Sequence, residues 1–398
     1  MVEKSNRSGT INWILLERTS IMVHKIYLWF KGEAVLIIST AFAVFTMFFV
    51  KPSTEYIKYI DFRVLALLFS LMAVVAGLQE NGVFLILSDK LLSKVKTVRG
   101  LCYTLILLCF LTSMWITNDV ALITFVPFTV MMLKLTGKEK NVIFVIVMQT
   151  IAANLGSMLT PVGNPQNLYL YSYYKVNEMD FLRITMPLTI FSFLIISFVC
   201  LFVKSERINI PPNKANDIYK LQDKKSVDGK NILIYFMLFT LCLGTVIHRI
   251  DYRITLLLIL LFLSFYDRNI LKKVDYSLLL TFICFFIFSG NIGNINFIHT
   301  LISETIKTRE IMSSILLSQI ISNVPSAVLL SNFTDKAQEL IIGTNIGGLG
   351  TVIASLASLI SYRIYCKTDR PNYLKYFIVF TVSNVGMLIL LYLFQFYL

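Results

Sequence analysis

Long apolar runs are the feature that most constrains this chain of 398 residues. A helix of about 20 predominantly apolar residues can cross the hydrocarbon core of a bilayer. The runs predicted to span are 33–50, 62–78, 141–158 continuing to about 175, 183–203, 231–248, 254–266, 276–290, 337–362 and 373–396. Two further runs, 101–133 and 310–334, are interrupted in the middle by polar residues. With 56% hydrophobic and 15% charged residues, the composition excludes a soluble enzyme and predicts an all-α polytopic membrane protein.

The distribution of Lys and Arg predicts which loops are cytoplasmic. If each interrupted run returns to its own side, 26 of the 36 basic residues fall in segments 1–31, 79–99, 134–140, 204–230, 267–275 and 363–375. Cytoplasmic loops of membrane proteins carry such an excess of Lys and Arg. This predicts a multi-pass protein of the cell (plasma or inner) membrane with a cytoplasmic N-terminus. It also accounts for the net charge of +13 without a nucleic-acid partner.

Metal, nucleotide and thiol chemistry has no recognisable motif in the sequence. The six cysteines form no C-x-x-C pair, the three histidines are scattered, and there is no P-loop. We therefore predict no catalytic residue, no cofactor and no resident metal. Charged residues such as Glu17 and Arg18 interrupt the apolar pattern of the first 32 residues, which favours an interfacial helix over a cleavable signal peptide.

The two halves of the chain repeat the same order of elements. An apolar run opened by Asp61 or Asp275 is followed by an interrupted run with a polar tip, TNDVAL (117–122) or SNVPSAVLL (322–330). The segment ANLGSMLTPVGNPQNLYLY (153–171) then corresponds to TNIGGLGTVIASLASLISY (344–362). Because the charge bias places the interrupted runs on opposite sides, this predicts an inverted-topology repeat, each half with a re-entrant hairpin and a discontinuous helix. The predicted units are an N-terminal interfacial segment (1–32), a first repeat (33–203), a cytoplasmic linker (204–230) and a second repeat with its linking helix (231–398).

Polar and helix-breaking residues interrupt four of these segments. Non-helical backbone at membrane depth must line a cavity or be buried in protein, because each unsatisfied group costs several kcal/mol. Half-helix N-termini suit an anion, and unwound carbonyls with Asn, Ser and Thr oxygens suit a small cation. The predicted substrate- and ion-binding residues are Thr117, Asn118, Asp119, Asn154, Gly156, Ser157, Thr160, Gly163, Asn164, Gln166, Asn167, Ser322, Asn323, Asn345, Gly347, Gly348, Thr351 and Ser355. The alternatives are close helix packing for the glycines and N-capping of the second hairpin arm for Asn118 and Asn323.

Asp119 is the residue for which the sequence predicts a functional role most specifically. It is the only acidic residue in 101–133, and 141–174 and 340–362 contain none. An intramembrane carboxylate is costly and is a functional candidate by default. Desolvation favours its protonated form, which would let it carry a proton, and with Asn118 and Asn323 it is a candidate for Na⁺ binding. The structural alternative is a cap for the free N–H groups of residues 120–122.

At these residues the chain resembles the ion transporter superfamily. The resemblance is to the branch that holds arsenite permeases, NhaD-type sodium/proton antiporters, divalent-anion/sodium symporters and citrate carriers. It is carried by LTPVGNPQNLYLY (159–171), the TNDVAL tip, SNVPSAVL (322–329) and NIGGLGTVIASLASL (345–359). It implies two inverted repeats, a dimeric scaffold and elevator-like movement of a transport core. The Asn-Asp tip and the second turn without prolines, Ala354 to Ser358, depart from the dicarboxylate symporters and look closer to the arsenite permeases.

Three functional hypotheses follow. The leading one is a secondary active transporter of a small inorganic or organic anion, coupled to H⁺ or Na⁺ and working by alternating access. The alternative is a cation/proton antiporter that uses Asp119 as its exchange carboxylate. A passive anion channel is the third, and the broken helices argue against it because they favour alternating access over a continuous pore. The predicted partners are the substrate, the lipid bilayer and a second copy of the chain.

Overall fold

All regular secondary structure in the described part of the chain is helical. The computed structural model describes residues 34–84, 86–87, 95–208 and 229–397, and these residues contain no β-strand. The α-helices are α1 (Ala34–Met47), α2 (Tyr56–Tyr59), α3 (Phe62–Glu80), α4 (Val98–Thr112), α5 (Asn118–Leu135), α6 (Val142–Ser157), α7 (Pro165–Tyr173), α8 (Glu178–Leu201), α9 (Gly229–Val246), α10 (Tyr252–Phe265), α11 (Arg268–Leu271), α12 (Tyr276–Gly293), α13 (Asn296–Ile306), α14 (Glu310–Ile321), α15 (Asn323–Leu330), α16 (Ala337–Gly347), α17 (Leu356–Cys366) and α18 (Tyr373–Phe394). Seven helical stretches of the described residues are long and apolar enough to cross a membrane. The predicted all-α polytopic class is confirmed.

The predicted breaks fall where the sequence placed them. The two interrupted runs form the hairpins α4–α5 and α14–α15, and the two later runs form the discontinuous helices α6–α7 and α16–α17. The amphipathic helix α13 was not predicted. The interfacial segment 1–32 lies outside the described residues, as do residues 209–228 of the linker. The proposed boundaries between repeats stay predictions.

Each repeat opens with an acidic residue that caps a long helix. The Asp61 Oδ1 atom accepts a hydrogen bond from the Val64 N–H at 3.0 Å. In the second half, the Asp275 Oδ1 atom accepts from the Leu278 N–H at 2.9 Å. An N-cap of this kind satisfies one of the free donors at a helix start. The matching acidic residues therefore have a structural role in starting α3 and α12.

The long helices define two ends of the helix bundle. Helices α3 and α8 start at one end, since Asp61 and Glu178 line the same cavity there; we call this the Asp61 end. At the opposite end, where α3 finishes, Lys273 Nζ lies 2.6 Å from Glu80 Oε1; we call this the Lys273 end.

Both ends of the first hairpin lie at the Lys273 end. The Val98 N–H, at the start of α4, donates to the Glu206 carbonyl at 2.8 Å. Beyond the end of α5, Lys138 forms an ion pair with the Glu206 carboxylate, and Lys140 lies 3.7 Å from it. These two lysines hold the pKa of Glu206 below its ordinary value, first through the hydrogen bond from Lys138. The first hairpin therefore leaves and returns at one end of the bundle.

The second hairpin is fixed at the Asp61 end. Lys336 Nζ, beyond α15, lies 3.1 Å from Oε1 of Glu310, the first residue of α14. The Tyr174 hydroxyl donates to the Thr334 carbonyl at 2.6 Å, which ties this base to the end of α7. The two hairpins thus start from opposite ends, as an inverted repeat requires. Their orientation relative to a membrane stays a prediction.

Candidate functional site

The two discontinuous helices break on the same plan. In the first half α6 ends at Ser157, and α7 starts after Asn164, whose Oδ1 atom accepts from the Asn167 N–H at 3.0 Å. In the second half α17 starts after Ser355, whose Oγ atom accepts from the Ala357 N–H at 3.2 Å. Each break therefore ends in a capped half-helix N-terminus inside the protein.

Each hairpin tip is bonded to the break of its own half. The Asn118 N–H donates to the Gly163 carbonyl at 3.1 Å, and the Asn323 N–H donates to the Ala354 carbonyl at 2.9 Å. Gly163 and Ala354 are the residues immediately before the two N-caps. The unwound backbone is therefore satisfied within the protein, as its depth requires.

Side chains then link each half to the break of the other half. The Asn154 Oδ1 atom, near the end of α6, accepts from Ser355 Oγ and from Asn118 Nδ2, both at 3.0 Å. The Asn345 Oδ1 atom, near the end of α16, accepts from Asn164 Nδ2 at 3.2 Å. These five side chains are all buried. Asn154 and Asn345 each bond to the break of the other half, so the tips and breaks form one polar cluster.

The remaining predicted residues of the first break join or support this cluster. Ser157 Oγ accepts from Asn164 Nδ2 at 3.1 Å, and Asn167 Oδ1 accepts from Asn345 Nδ2 at 2.7 Å. The Thr160 hydroxyl donates to the Met114 carbonyl, which fastens the break to the loop before α5. Gln166 is buried, and it directly precedes Asn167 in the chain.

Two predicted glycines are packing positions. A Cβ atom on Gly156 would lie 2.1 Å from the carbonyl oxygen of Phe110 in α4. One on Gly347 would lie 2.7 Å from Ser318 Oγ in α14. The absence of a side chain lets each hairpin arm pack closely on the helix that carries the buried Asn, and close packing is the better interpretation for both.

The second break is shaped by Gly348, Thr351 and Gln319. The sequence analysis did not indicate Gln319. A Cβ atom on Gly348 would lie 2.8 Å from Asn323 Nδ2, so this glycine makes room for the tip. Gln319 Nε2 donates to the Gly347 carbonyl at 3.0 Å, and its Oε1 atom accepts from the Thr351 N–H at 2.8 Å. Thr351 itself is exposed. Gln319 is a polar residue within an apolar helix, and that is the signal that could have found it.

The alternative, in which Asn118 and Asn323 are N-caps, does not hold for their positions, although the Asn118 Oδ1 atom accepts the Asp119 N–H at 2.9 Å. Thr117 and Ser322 occupy the N-cap positions of α5 and α15, and neither side chain makes a capping hydrogen bond. Asn118 and Asn323 are instead the first helical residues, so their side chains are available to the cluster.

Asp119 does not cap its helix either. It lies in the first turn of α5, and its Oδ1 atom is buried with no hydrogen-bond partner among the described residues. A buried carboxylate oxygen without a donor is costly unless a proton or a cation satisfies it. The environment of Asp119 therefore differs from that of the satisfied amides around it.

A cavity of about 360 Å³ connects the cluster to the Lys273 end. Thr117, Asp119 and Asn164 line its inner part, and Lys273 and Asp275 line its outer part. Arg363 also contributes to the wall. The sequence prediction considered the breaks alone, which hold no basic residue, and so missed Lys273 and Arg363. Arg363 could have been found from helical spacing, since it lies seven residues after Leu356 and shares its face of α17.

The chain is similar to known membrane transporters. The sequence profile of the citrate transporter family matches residues 26–339. An uncharacterized transporter of Methanocaldococcus jannaschii is 34% identical over 314 residues, which cover 78% of this chain and 83% of that protein. The inner membrane protein YbiR of Escherichia coli is 28% identical over 324 residues, 77% and 80% of the two chains. The silicon efflux transporter of Oryza sativa subsp. japonica is 31% identical over 131 residues, 32% of this chain and 26% of that protein. The chain therefore belongs to the citrate transporter family, and it is a multi-pass membrane transporter and not an enzyme.

Proposed function

We propose that this protein is a secondary active transporter of a small inorganic or organic anion, coupled to H⁺ or Na⁺. The observation that carries the proposal is the cavity that runs from Lys273 to the polar cluster and to Asp119. It joins a substrate-sized space to half-helix ends and to one carboxylate without a donor. No cofactor takes part, and the coupling ion supplies the driving force.

The anion is favoured by the ends of the half-helices. Helices α5, α7, α15 and α17 all start within the cluster or at its edge. A helix N-terminus offers free N–H groups and a partial positive charge, which suit an anion. Lys273, which pairs with Glu80, and Arg363 line the same cavity together with Asp119 and Asp275, so the preference for an anion rests on the helix ends and not on net charge. Citrate is a first candidate because of the family. Silicic acid and arsenite, which are uncharged at neutral pH, are further candidates from the silicon transporter and the arsenite permeases.

Alternating access is supported by the different depths of the cavities at the two ends of the described structure. A second cavity, at the Asp61 end, is lined by Asp61, Tyr169 and Asn332; its lining reaches α15 at Val328 but includes neither Asn118 nor Asn323. The Tyr169 hydroxyl and Ser331 Oγ lie 2.7 Å apart, and the Tyr173 hydroxyl donates to Asn332 Oδ1 at 3.0 Å. These bonds join α7 to the end of the second hairpin at the wall of that cavity. The charge bias assigns the Lys273 end to the cytoplasm, so we infer an inward-facing state of an elevator-like cycle.

The charge bias and the family resemblance also suggest a membrane location, an orientation and an oligomeric state. We propose a cell (plasma or inner) membrane location with a cytoplasmic N-terminus and, from the resemblance, a homodimer. In a cysteine-free variant, Glu139→Cys and Ala215→Cys should react with an impermeant thiol reagent from the cytoplasmic side, and Asp335→Cys from the outside. Labelling of residues 139 and 215 from opposite sides would contradict the re-entrant first hairpin.

A cation/proton antiporter is the second candidate. The unpaired Oδ1 atom of Asp119 favours it, because Asp275 lines the same cavity and two carboxylates suit an exchanged cation. In this case the protein would move protons against Na⁺ with no anion present. The two candidates are therefore separated by whether an anion is required for ion movement.

The test is transport into proteoliposomes under imposed H⁺ and Na⁺ gradients. Labelled citrate, silicic acid and arsenite are supplied in turn, and internal substrate and internal pH are followed. Gradient-dependent accumulation of citrate supports the anion transporter, whereas accumulation of silicic acid or arsenite alone, both uncharged at neutral pH, indicates a secondary transporter of neutral oxyacids and contradicts the anion. Proton movement driven by Na⁺ alone supports the antiporter, and an ohmic current without accumulation would contradict both and indicate a channel.

Asp119→Asn is the decisive variant because it keeps the shape but cannot ionise. We expect it to lose gradient-driven accumulation and its pH dependence, while exchange at equal concentrations survives if Asp119 carries the proton. A raised half-saturating Na⁺ concentration with unchanged pH response assigns Asp119 to Na⁺ instead. The matched control is Asp180→Asn, an exposed aspartate at the Asp61 end. Wild-type accumulation and ion dependence in Asp119→Asn would overturn the coupling role.

A further inference from the structure

A separate cavity at the Asp61 end gathers donors that nothing in the described structure satisfies. It is lined by residues from the starts of α3 and α8, the end of α7 and the turn after α9. Among them are Arg63, Tyr171, Lys175 and His248. None of the four belongs to the polar cluster, and the cavity lies at the opposite end of the molecule from the one that reaches Asp119.

Two buried donors in this cavity have no partner. The side chain of Tyr171 is 1% exposed, and its hydroxyl makes no hydrogen bond in the described part of the chain. Arg63 donates through one terminal nitrogen to the Thr245 carbonyl at 3.0 Å, but its buried Nε–H has no acceptor. A buried donor without an acceptor has lost its hydrogen bonds to water and gained none in return, which destabilises the folded protein. An acceptor that enters the cavity would remove this cost.

The charges around the two donors favour an anionic acceptor. Among the described residues neither Arg63 nor Lys175 forms an ion pair, so neither charge is neutralised by a contact. The His248 ring lies 5.7 Å from the Tyr171 ring, and burial, followed by the charge of Arg63, lowers the pKa of His248, so that its imidazole is neutral at pH 7.

Two carboxylates also line the cavity and limit the charge of its occupant. Asp61 already accepts the N–H of Val64, and Glu178 is exposed in the first turn of α8. With these two carboxylates opposite Arg63 and Lys175, the formal charge of the cavity is near zero. A singly charged anion is therefore accommodated better than a trianion such as citrate.

We propose that this cavity is a binding site for a small, singly charged oxyanion such as a monocarboxylate. Arg63 and Tyr171 donate hydrogen bonds to its oxygens, and Lys175 contributes attraction at the mouth. The site is independent of the proposed coupling role of Asp119, because it shares no residue with the central cavity.

The test measures the charge preference of the cavity with a reactive probe. Ile247 lines it and is half-buried, so Ile247→Cys is introduced after replacement of the half-buried Cys284 and Cys366. A methanethiosulfonate reagent that carries a sulfonate is compared with one that carries a quaternary ammonium, each normalised to its reaction with a free thiol. Because the cavity as a whole is near neutral, the preference comes from hydrogen bonds that only the anion can accept, and one such bond from a charged donor corresponds to about tenfold in occupancy. We expect the sulfonate reagent to react faster by about that factor and acetate to slow it.

Three variants and one control decide the outcome. Lys175→Gln and Arg63→Gln should each reduce the preference for the sulfonate reagent, and Tyr171→Phe should raise the acetate concentration for half-protection by about two- to tenfold. Lys51→Gln removes an exposed basic residue that does not line the cavity, and it should change neither quantity. Equal normalised rates for the two reagents, or a preference that survives in both Lys175→Gln and Arg63→Gln, would overturn the proposal. Because labelling needs no transport, this result is separate from any outcome with Asp119→Asn.

Discussion

The tips of the two hairpins make the same backbone contact but present different side chains to the interior. At each tip the first helical residue, Asn118 or Asn323, donates its N–H to the carbonyl before an N-cap. The next residue is Asp119 in the first half, which lines the central cavity, and Val324 in the second half, which is buried. The two tips thus share one arrangement of backbone and amides, but only the first tip carries an ionisable side chain.

The connections at the two tips differ as well. The first hairpin has five residues between α4 and α5, and Thr117 before α5 has an ordinary φ of −62°. The second hairpin has Ser322 alone between α14 and α15, with φ of 76° and ψ of 156°. This backbone conformation is nearly restricted to glycine and is costly for serine. The second tip, which has no charged residue, therefore has the strained backbone. The first tip, which carries Asp119, has an ordinary backbone.

The largest expected effect comes from the two tip amides. Asn118→Ala and Asn323→Ala should each lower substrate accumulation about tenfold to a hundredfold, because a hydrogen bond to a charged group contributes about 1.5–3 kcal/mol. They should differ in stability. Asn118 also donates to Asn154 at 3.0 Å, whereas the hydrogen bond between Asn323 and Ser322 Oγ is long at 3.5 Å. Initial uptake rates and thermal unfolding in detergent separate the two effects.

Asn296→Ala is a matched control for the tip variants. Asn296 is exposed at the start of α13, and its amide makes no hydrogen bond in the described part of the chain. We expect unchanged uptake and unchanged stability. Uptake at the wild-type rate in either tip variant would remove that asparagine from the binding site, and equal stability losses in both would contradict the difference between the tips.

The next effect compares the two packing glycines. Gly156→Ala brings a Cβ atom to 2.1 Å from a backbone oxygen of α4, which cannot move without shifting the hairpin arm. Gly347→Ala meets the side chain of Ser318 at 2.7 Å. We expect Gly156→Ala to destabilise the protein by about 3 kcal/mol or more and Gly347→Ala by less. The yield of folded protein and the midpoint of thermal unfolding report the difference.

A second substitution sharpens this comparison. Ser318→Gly removes the two atoms that would lie within 3.0 Å of the Cβ atom added by Gly347→Ala, while Ile315 Cα at 3.1 Å remains. Its helix-propensity cost is about 0.5 kcal/mol, since serine lies between alanine and glycine on that scale. The double variant Ser318→Gly with Gly347→Ala should therefore recover part of the loss relative to the sum of the single changes. If Gly347→Ala proves as damaging as Gly156→Ala, the distinction between a side-chain clash and a backbone clash does not hold.

The sequence was sufficient to place the breaks but not the contacts across them. Pro161 and Pro165 with Gly163 exclude a continuous helix on local grounds, and the tip residues Asn118 and Asn323 stand out because they are polar in apolar runs. The similarity of residues 154–156 to 345–347 predicted corresponding positions. These signals are local or depend on comparing the halves, and both are readable from one chain.

Partners that lie far apart in sequence could not be predicted. Asn154 bonds to Ser355, 201 residues away, and this contact depends on how the two halves pack. The cavity wall at Lys273 and Arg363 has the same origin, because these two residues of the second half lie ninety positions apart and meet across a cavity that Asp119 of the first half also lines. Gly156 and Gly347 were placed in the site because small residues serve both packing and binding, and only the distance to the opposite arm decides between these roles.

The ion pairs at the outer ends of the two hairpins should contribute different amounts to the stability of the protein. Glu310 is 4% exposed and pairs with Lys336, whereas the side chain of Glu206 is 40% exposed and has two lysine neighbours. Lys336→Met leaves a buried carboxylate without its partner, and we expect a loss of about 2 kcal/mol, below the value for fully buried pairs because Lys336 is partly exposed. Lys138→Met should cost less than about 1 kcal/mol, as exposed pairs do. Thermal unfolding at neutral pH measures both, and a larger loss in Lys138→Met would contradict the comparison.

The smallest expected effect tests the strain at the second tip. Ser322→Gly should relieve a backbone cost of about 1–3 kcal/mol. Glycine loses more backbone entropy on folding, which offsets about 0.5–1 kcal/mol of that gain. The net expectation is a stabilisation of about 1 kcal/mol, while Thr117→Gly at the relaxed tip should destabilise by about 0.5–1 kcal/mol, since glycine relieves nothing there. Opposite shifts of the unfolding midpoint would establish that the tips differ in strain. A stability loss in Ser322→Gly as large as that in Thr117→Gly would show that the serine is not strained, and that its hydroxyl, 3.3 Å from the Ala354 carbonyl, contributes more than its backbone costs.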